Sequence, residues 1–187
     1  MSSHRVRVLF DEAAIARRIE EMAQTIAASK PRDLLVVAVL KGSFMFAADL
    51  IRALHRAGLA PQVEFIHLSS YRTGTTSSGQ VAILRDVESD VRGRDILLVD
   101  DILESGRTAA FAKDLLMARG AGQVLTAVLL EKPGKRAVSI EADHVGFVCP
   151  DVFVVGYGMD VAHSFRQLPF VGVVDYLDTE PDLFGGT

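Results

Sequence analysis

The segment Ile96-Leu97-Leu98-Val99-Asp100-Asp101-Ile102-Leu103-Glu104-Ser105-Gly106-Arg107-Thr108 decides the fold of this chain. Four apolar β-formers lead into two adjacent carboxylates, and a Ser-Gly-x-Thr turn then opens an amphipathic stretch. A strand, a loop and a helix in this order direct backbone N–H groups and the positive end of the helix dipole out of the loop, which suits a phosphate. The carboxylates are acceptors for sugar hydroxyls. The segment therefore predicts a site for a ribose that carries a 5′-phosphate.

The sequence upstream of this segment predicts two helices around a strand. Residues 11–28 form a helical pattern with Asp11 as N-cap. Its apolar stripe comprises Ile15, Ile19, Met22 and Ile26. The run Leu34–Leu40 predicts a strand that is buried on both faces, as in a parallel sheet. A second helix follows Lys41-Gly42-Ser43 and ends at Gly58, with an apolar stripe of Phe44, Ala47, Ala48, Ile51 and His55.

Further strands and one loop complete the pattern. A strand around Val63–Leu68 leads into Ser69–Gly79, which has no periodicity and predicts a mobile loop. A returning strand is expected at Val81–Leu84. The helix after Thr108 carries a stripe of Phe111, Leu115 and Ala118 and stops at Gly120. Strands are expected at Val124–Leu130, Val152–Val155 and Phe170–Val174. Strands that alternate with helices predict an α/β fold with a doubly wound sheet.

The composition fits one soluble domain. The chain has 187 residues, of which 49% are hydrophobic and 24% charged, and its net charge is −4. This charge gives no general attraction to nucleic acid or to an anionic membrane, so we expect neither as a partner. The single Cys149 fits a reducing compartment, and the N-terminal residues lack the apolar core of a signal peptide. We expect a cytoplasmic protein with a single domain over residues 1–187.

Other phosphate-binding motifs do not fit. The chain contains neither G-x-x-x-x-G-K-[ST] nor G-x-G-x-x-G, which disfavours a P-loop or a dinucleotide fold. A receiver domain also uses an acidic pair, but at the end of its first strand and not in the middle of the chain. Close carboxylates raise one another's pKa unless a cation or hydrogen-bond donors compensate, so the pair Asp100-Asp101 indicates a binding function.

The segment from Ile96 to Thr108 resembles the phosphoribosyl diphosphate-binding motif of type I phosphoribosyltransferases. Three other segments resemble the hypoxanthine-guanine branch of that family: Leu40-Lys41-Gly42, Glu131-Lys132-Pro133 and the run from Pro150 to Asp160. The likeness extends from about Leu9 to Asp178. It implies a central, mainly parallel sheet flanked by helices, a small hood lobe and a flexible lid loop. The implied reaction is Mg²⁺-dependent transfer of ribose 5-phosphate to hypoxanthine or guanine, which is purine salvage.

The resemblance also implies roles for individual residues. Asp100 and Asp101 would hold the ribose hydroxyls, directly or through a Mg²⁺ shell. The 5′-phosphate would lie against the residues from Glu104 onwards, namely Ser105, Gly106, Arg107 and Thr108. The diphosphate would be bound by Lys41, Gly42, Arg166 and, from the lid, Ser70 and Tyr71. The purine would be bound by Lys132, Phe153, Val154 and Asp160.

Lys132 and Asp160 have specific tasks in this scheme. A donor such as Lys132 suits the O6 acceptor of hypoxanthine or guanine and has no match in the amino group of adenine. Phe153 would stack on the purine ring, and the backbone of Val154 would meet its edge. Asp160 would bind Mg²⁺ on the diphosphate through water. Without the resemblance, Lys132 would be interpreted as a solvated loop charge, Phe153 as a core residue and Arg166 equally well as a surface residue.

The chain departs from the family pattern at two acidic positions. The family assigns removal of the purine N7 proton to the fifth motif position, which is Glu104 here and generally Asp in the purine branch. Conversely, Asp100 stands where Glu is common. Glu104 is one methylene longer than Asp, so its reach toward the purine differs.

Three alternatives remain open at this point. One is a xanthine-guanine phosphoribosyltransferase, a branch that lacks the long match around Phe153 to Asp160. Another is an RNA-binding regulator on the same fold, similar to the pyrimidine-operon attenuator, which the negative net charge disfavours. The third is a nucleotide-sensing protein without activity, to which the exchanged acids point. The resemblance further implies a homodimer or homotetramer.

Overall fold

The computed structural model describes residues 4–73 and 76–176, and the side chains of residues 4, 70–80 and 176 lie outside the description. Within these ranges the chain forms three helices and nine strands. The helices are α1 (Glu12–Ala28), α2 (Phe44–Arg56) and α3 (Arg107–Ala118). The strands are β1 (His4–Phe10), β2 (Leu35–Leu40), β3 (Gln62–Thr73), β4 (Thr76–Arg85), β5 (Asp95–Leu103), β6 (Gln123–Glu131), β7 (His144–Val148), β8 (Val154–Val155) and β9 (Val171–Tyr176).

Six strands form the central sheet in the order β4-β3-β2-β5-β6-β7. All neighbours pair in parallel except β3 and β4, which are antiparallel. The chain builds outward from β2 to β3 and β4, and then returns to β5 on the other side of β2. This reversal makes the carboxyl ends of β2 and β5 a topological switch point, where open α/β sheets bind ligands. The prediction of a mainly parallel α/β sheet is confirmed.

Strand β2 is buried on both faces, as its unbroken apolar sequence predicts. Val36 and Ala38 pack in the cluster that includes residues of α1 and α2. Leu35, Val37 and Val39 pack on the opposite side with residues of α3. The helices therefore cover both faces of the sheet and leave the strand ends as the place for a ligand.

The predicted helix faces are only partly correct. In α1 the predicted N-cap is confirmed, because the Asp11 carboxylate accepts a hydrogen bond from the Ala14 N–H at 2.7 Å. The whole predicted stripe of α1 is buried. In α2 the predicted stripe is correct for Ala47, which is buried, but wrong for Phe44, which is 38% exposed. The residues buried there are Phe46, Ala47, Leu50, Ala53 and Leu54. The apolar run in α2 offers two overlapping stripes, and only the packing against α1 and the sheet selects one.

The buried face of α3 also differs from the predicted stripe, by about one residue along the sequence. Its buried residues are Ala109, Ala112 and Leu116. Phe111 and Leu115 are half-buried, and Ala118 is exposed. A small residue such as Ala112 lets the helix approach the sheet closely, which a pattern of large apolar residues does not reveal.

The prediction of an irregular loop over Ser69–Gly79 is wrong for most of that segment. Strand β3 continues to Thr73 and β4 begins at Thr76, and the two form an antiparallel hairpin at the sheet edge. Residues 74 and 75 lie outside the described residues. A hairpin at an edge needs cross-strand hydrogen bonds and not a buried apolar face, and Thr and Tyr favour extended backbone. A polar sequence can therefore form strands that hydrophobic periodicity does not detect.

A second sheet of three strands, in the order β1-β9-β8, accounts for the predicted hood lobe. Strand β1 was not predicted, and neither was β7 of the central sheet. The rings of Phe10 and Phe147 stack with centroids 4.3 Å apart and so attach β1 to β7. No helix in the described part of the chain has the combination of length and apolar character that crossing a membrane requires.

Candidate active site

The main cavity lies at the carboxyl ends of β2, β5 and β6. Its volume is about 590 Å³, and it is lined by residues of β2, β3 and β5, by the loops after β2, β5 and β6, and by the segment from Asp151 to Arg166. The predicted site residues in its lining are Lys41, Gly42, Asp101, Glu104, Lys132, Phe153, Val154, Asp160 and Arg166. Residues that are far apart in the sequence therefore share one cavity.

A second, smaller cavity of about 210 Å³ adjoins the first. The predicted site residues in its lining are Asp100, Glu104, Ser105, Gly106 and Thr108. Glu104 and Ile102 line both cavities, so the two are neighbours. The smaller cavity lies at the N-terminus of α3, where the helix dipole favours an anion.

Glycine is required where the turn enters α3. Gly106 is the N-cap of the helix and has a φ of +78°, a left-handed conformation that side chains disfavour. A Cβ atom at this position would also lie 2.5 Å from Ile140 Cγ2. Glycine therefore allows the tight turn at the N-terminus of α3, where a phosphate oxygen can approach the backbone.

The two carboxylates of β5 are close to each other and largely buried. The backbone N–H of Asp101 donates to the Asp100 carboxylate at 3.0 Å, and that of Ile102 donates to the Asp101 carboxylate at 2.9 Å. Burial raises the pKa of both carboxyl groups, and the charge of Asp101 raises that of Asp100 further. Such a pair favours a ligand that supplies positive charge or hydroxyl donors.

Backbone packing fixes the loop after β2 against this pair. The Leu40–Lys41 peptide bond is cis. A Cβ atom on Gly42 would lie 1.7 Å from the Asp101 carboxylate, and one on Gly158 would lie 2.2 Å from the Gly42 carbonyl oxygen. Both glycines are needed for three segments to meet at one point, and a side chain at either would separate them.

Two lysines approach the Glu104 carboxylate. Nζ of Lys132 and Nζ of Lys135 each lie 3.8 Å from Glu104 Oε1. The side chain of Lys132 is only 8% exposed, whereas that of Lys135 is 52% exposed. A buried lysine beside the cavity is a positioned donor and not the solvated loop charge that its local sequence indicates.

Phe153 is exposed and Val154 is buried. Phe153 has 56% of its surface exposed although it is a large apolar residue, and it lines the main cavity. Val154 belongs to β8 and is 4% exposed. The interpretation of Phe153 as a core residue is therefore wrong, and its exposed ring can stack on a planar ligand.

Asp160 and Arg166 form an ion pair in the cavity wall. Arg166 Nη2 lies 2.7 Å from Asp160 Oδ1, and Arg166 Nη1 donates to the Gly158 carbonyl oxygen at 2.6 Å. The backbone N–H of His163 donates to Asp160 Oδ2 at 2.7 Å. Arg166 is thus a half-buried residue of the site and not a surface residue.

One predicted residue lies outside both cavities, and the side chains of two others are not described. The side chains of Ser70 and Tyr71 lie outside the described residues, so their role stays a prediction. Arg107 is the first residue of α3 and does not line either cavity. Its backbone N–H lies 3.4 Å from the Ser105 hydroxyl and contributes to the turn.

Sequence reasoning missed three polar residues that line the main cavity, namely His67, Lys135 and Asp151. Lys135 follows Lys132 by three residues in the turn after β6, a spacing that allows both lysines to face one carboxylate. Asp151 was within a matched segment but had no assigned role. His67 gave no signal, since only the pairing of β3 with β2 opposite Leu40 brings it to the cavity.

The described residues contain no cluster of three or more His, Cys, Asp or Glu side chains that could hold a metal ion. Magnesium is commonly bound by one or two carboxylates together with substrate phosphates and water. The buried pair Asp100 and Asp101, with its raised pKa values, fits a cation that arrives with an oxygen-rich substrate. The protein residues are therefore compatible with Mg²⁺ without forming a complete metal site.

Comparison with known protein families shows that residues 6–162 match the family of phosphoribosyl transferase domains. This is the class of protein to which the fold and the site belong. The chain is 39% identical over 178 residues to a hypoxanthine phosphoribosyltransferase of Escherichia coli, covering 94% of this chain and 98% of that protein. A solved hypoxanthine phosphoribosyltransferase of Staphylococcus aureus superposes with a TM-score of 0.85 at 36% identity, covering 90% of this chain and 91% of that one. The chain belongs to the hypoxanthine phosphoribosyltransferase family.

Some relatives are longer proteins. The chain is 43% identical over 169 residues to a bifunctional TilS/HprT protein of Listeria innocua, which covers 90% of this chain. It spans 26% of the length of that relative.

Proposed function

We propose that this chain transfers ribose 5-phosphate from 5-phosphoribosyl 1-diphosphate to N9 of hypoxanthine or guanine. The products are IMP or GMP and diphosphate, so the reaction is one of purine salvage. The observation that carries the proposal is the pair of adjoining cavities, one at the N-terminus of α3 and one beside Lys132 and Phe153, which share Glu104. A phosphorylated ribose and a purine would occupy neighbouring places in this arrangement.

The smaller cavity would bind the 5′-phosphate. The turn from Ser105 to Thr108 offers two hydroxyl groups and the backbone N–H groups at the start of α3. Asp100 and Asp101 lie just upstream and would accept hydrogen bonds from the ribose hydroxyls. The diphosphate would lie at Lys41 and Gly42, with Arg166 as a fork donor.

The other end of the main cavity would bind the purine. Lys132 would donate to O6, and Phe153 would stack on the ring. Adenine carries an amino group, a hydrogen-bond donor, where hypoxanthine carries O6. The ammonium group of Lys132 would then face another donor and would have no acceptor. Leaving a buried donor unpaired opposes binding, which gives the site its preference for 6-oxopurines.

The reaction breaks the bond between C1 of the ribose and the diphosphate oxygen, and the electron pair leaves with the diphosphate. N9 of the purine then bonds to C1, and the proton on N7 is removed. Glu104 lies at the junction of the two cavities and would accept that proton. Gly42, packed against Asp101, would hold the leaving group close to the ribose site. Closing such a site excludes water from the cationic sugar.

Asp100, Asp101 and Asp160 would hold Mg²⁺, which when bound would offset negative charge on the leaving diphosphate. The Asp160 carboxylate is already paired with Arg166 at 2.7 Å, so it would have to interact with the cation and with Arg166 at the same time. Contact through water, as the family resemblance implies, meets that condition.

We also propose that residues 1–187 form a single phosphoribosyltransferase domain that works in the cytoplasm as a homodimer or homotetramer. The buried Cys149 has no disulfide partner among the described residues, which suits a reducing compartment. Val63 and Phe65 on β3 are 36% and 41% exposed, and apolar surface of this kind favours association. Light scattering on the purified protein measures the assembly state.

A steady-state assay with phosphoribosyl diphosphate, Mg²⁺ and each of four bases tests the function. We expect turnover of hypoxanthine and guanine, weak turnover of xanthine and none of adenine. Lys132→Met would remove the donor and lower kcat/KM for hypoxanthine by about 100-fold, since a hydrogen bond to a charged group contributes about 1.5–3 kcal/mol.

The outcomes separate the alternatives. A preference for xanthine would replace the proposal by a xanthine-guanine phosphoribosyltransferase. Absence of turnover with every base would overturn the enzymatic function altogether. Chelation of Mg²⁺ should abolish the activity, and turnover that persists with a chelator would remove the proposed metal dependence.

A further inference from the structure

The surroundings of Glu104 contain a lysine that the family motifs do not include. Lys135 Nζ lies 3.8 Å from Glu104 Oε1, the same distance as that of Lys132 from the same oxygen. Lys132 has an assigned role as donor to the purine. Lys135 is half-exposed, and its position beside the carboxylate is not explained by that role.

Asp151 also pairs with Lys135. Lys135 Nζ lies 2.5 Å from Asp151 Oδ1, a charge-assisted hydrogen bond. Asp151 immediately precedes the segment that carries Phe153 and Val154. The ammonium group is thus held between the carboxylate of the phosphate-binding motif and the carboxylate of the purine-binding segment. The pKa of Lys135 is raised, first by the hydrogen bond with Asp151, so the group stays charged.

The backbone around these residues is tied in the same way. The N–H of Lys132 donates to the Leu103 carbonyl oxygen at 3.0 Å, and that of Ala137 donates to the Ser105 carbonyl oxygen at 2.9 Å. The Arg136 guanidinium donates to the carbonyl oxygens of Leu103 and Glu104 at 2.9 and 2.6 Å. The backbone of Glu104 is therefore fixed, and only its side chain needs a further restraint.

We propose that Lys135 is a positioning residue: held by Asp151, it keeps the Glu104 carboxylate at the purine end of the cavity. The need for it follows from the extra methylene of Glu104, which adds one rotatable bond compared with an aspartate at this position. Lys132 cannot do this alone, because its ammonium group is required for the purine. This assignment rests on the proposed function, in which Glu104 accepts the N7 proton.

An ordinary surface ion pair is the competing explanation, and it makes a different prediction. Exposed ion pairs contribute little to stability, and a pair with no positioning role would leave kcat unchanged when it is removed. If Lys135 positions Glu104, its loss should lower kcat with little change in the KM values or in Tm, because neither substrate is bound through Lys135.

Steady-state kinetics of Lys135→Met with hypoxanthine test the proposal. We expect kcat to fall by about tenfold, a part of the about 100- to 10,000-fold that a general base contributes, while both KM values and Tm stay near those of the wild type. Lys135→Arg keeps the cation and should restore most of kcat. Asp151→Asn should lower kcat to a similar degree, and adding it to Lys135→Met should have little further effect.

Lys113→Met is the matched control, since Lys113 lies on α3 outside both cavities and pairs only weakly with Asp143 at 4.0 Å. It should leave kcat unchanged. Wild-type kcat in Lys135→Met, or an equal loss in the control, would overturn the proposal while leaving the proposed function intact. A wild-type protein that turns over no base would overturn the proposed function and this assignment with it.

Discussion

The Asp101 carboxylate occupies the space that a side chain at Gly42 would need, since a Cβ atom on Gly42 would lie 1.7 Å from Asp101 Oδ2. The loop after β2 and the end of β5 therefore touch at the switch point of the sheet. In the proposed function Gly42 borders the diphosphate and Asp101 borders the ribose, so their contact sets the distance between the two parts of the substrate.

Gly42→Ala should displace the Asp101 carboxylate and lower kcat/KM by about 100-fold, because a displacement of about 1 Å in a site has effects of this size. The φ of Gly42 is not in the left-handed region, so alanine strains no backbone angle there, and any fall in Tm should come from the displaced Asp101 carboxylate. Gly58→Ala is the opposite control: its φ is +90° with no neighbour within 4 Å, so it should lower Tm and leave activity unchanged. Equal activity in Gly42→Ala and the wild type would contradict the importance of this contact.

Asp100→Asn should stabilise the protein without ligands and reduce its activity. Burial and the charge of Asp101 raise the pKa of Asp100, so an ionised Asp100 disfavours the folded state at neutral pH. An amide keeps the acceptor for the Asp101 N–H. We expect Tm to rise by about 2–4 °C for about 1 kcal/mol, measured by scanning calorimetry without Mg²⁺.

The stabilisation expected for Asp100→Asn should depend on pH. In the folded state Asp100 keeps its proton at pH values above 3.8, the ordinary pKa of Asp. The stability of the wild type therefore falls as the pH rises through the raised pKa of Asp100 in the folded state. The advantage of Asp100→Asn should therefore be larger at pH 7 than at pH 4. An advantage that shrinks with rising pH would show that the burial of the Asp100 charge beside Asp101 is not its source.

Much of the fold follows from local patterns in the sequence. The stripe from Ile15 to Ile26 matches the buried face of α1, and the apolar run of β2 correctly predicts a strand covered on both faces. By contrast, the run in α2 left its buried face undetermined, and the polar ends of β3 and β4 that form the hairpin have no hydrophobic period. Those features depend on neighbours that are distant in the sequence.

The site shows the same division. The motif around Asp100 and Glu104 could be identified from consecutive residues, because the end of β5 and the loop after it carry both. The pairing of Lys135 with Asp151 joins two turns 16 residues apart, and His67 reaches the cavity only through sheet register. Ion pairs between loops and side chains placed by register leave no local pattern.

Tyr157→Phe should lower the stability by about 1 kcal/mol, the usual net contribution of one hydrogen bond. The buried Tyr157 hydroxyl donates to the Asp49 carboxylate on α2, and burial raises the pKa of the Tyr157 hydroxyl. Denaturant unfolding of Tyr157→Phe, Asp49→Ala and the double variant measures the coupling. If the two single losses simply add, the hydrogen bond does not contribute.

The stability of the folded protein should decrease as the pH falls below about 6.5, because His144 is partly buried. Burial lowers the pKa of His144 from its ordinary value of 6.5, an effect that the charge of Asp143 partly opposes. As the pH falls below 6.5 the unfolded state therefore takes up a proton that the folded state resists, and unfolding is favoured. In His144→Gln the decrease of Tm between about pH 7.5 and about pH 5.5 should be smaller than in the wild type. His55→Gln, which changes an exposed histidine at the end of α2, should leave the wild-type profile in place, and identical profiles for all three proteins would refute the role of His144.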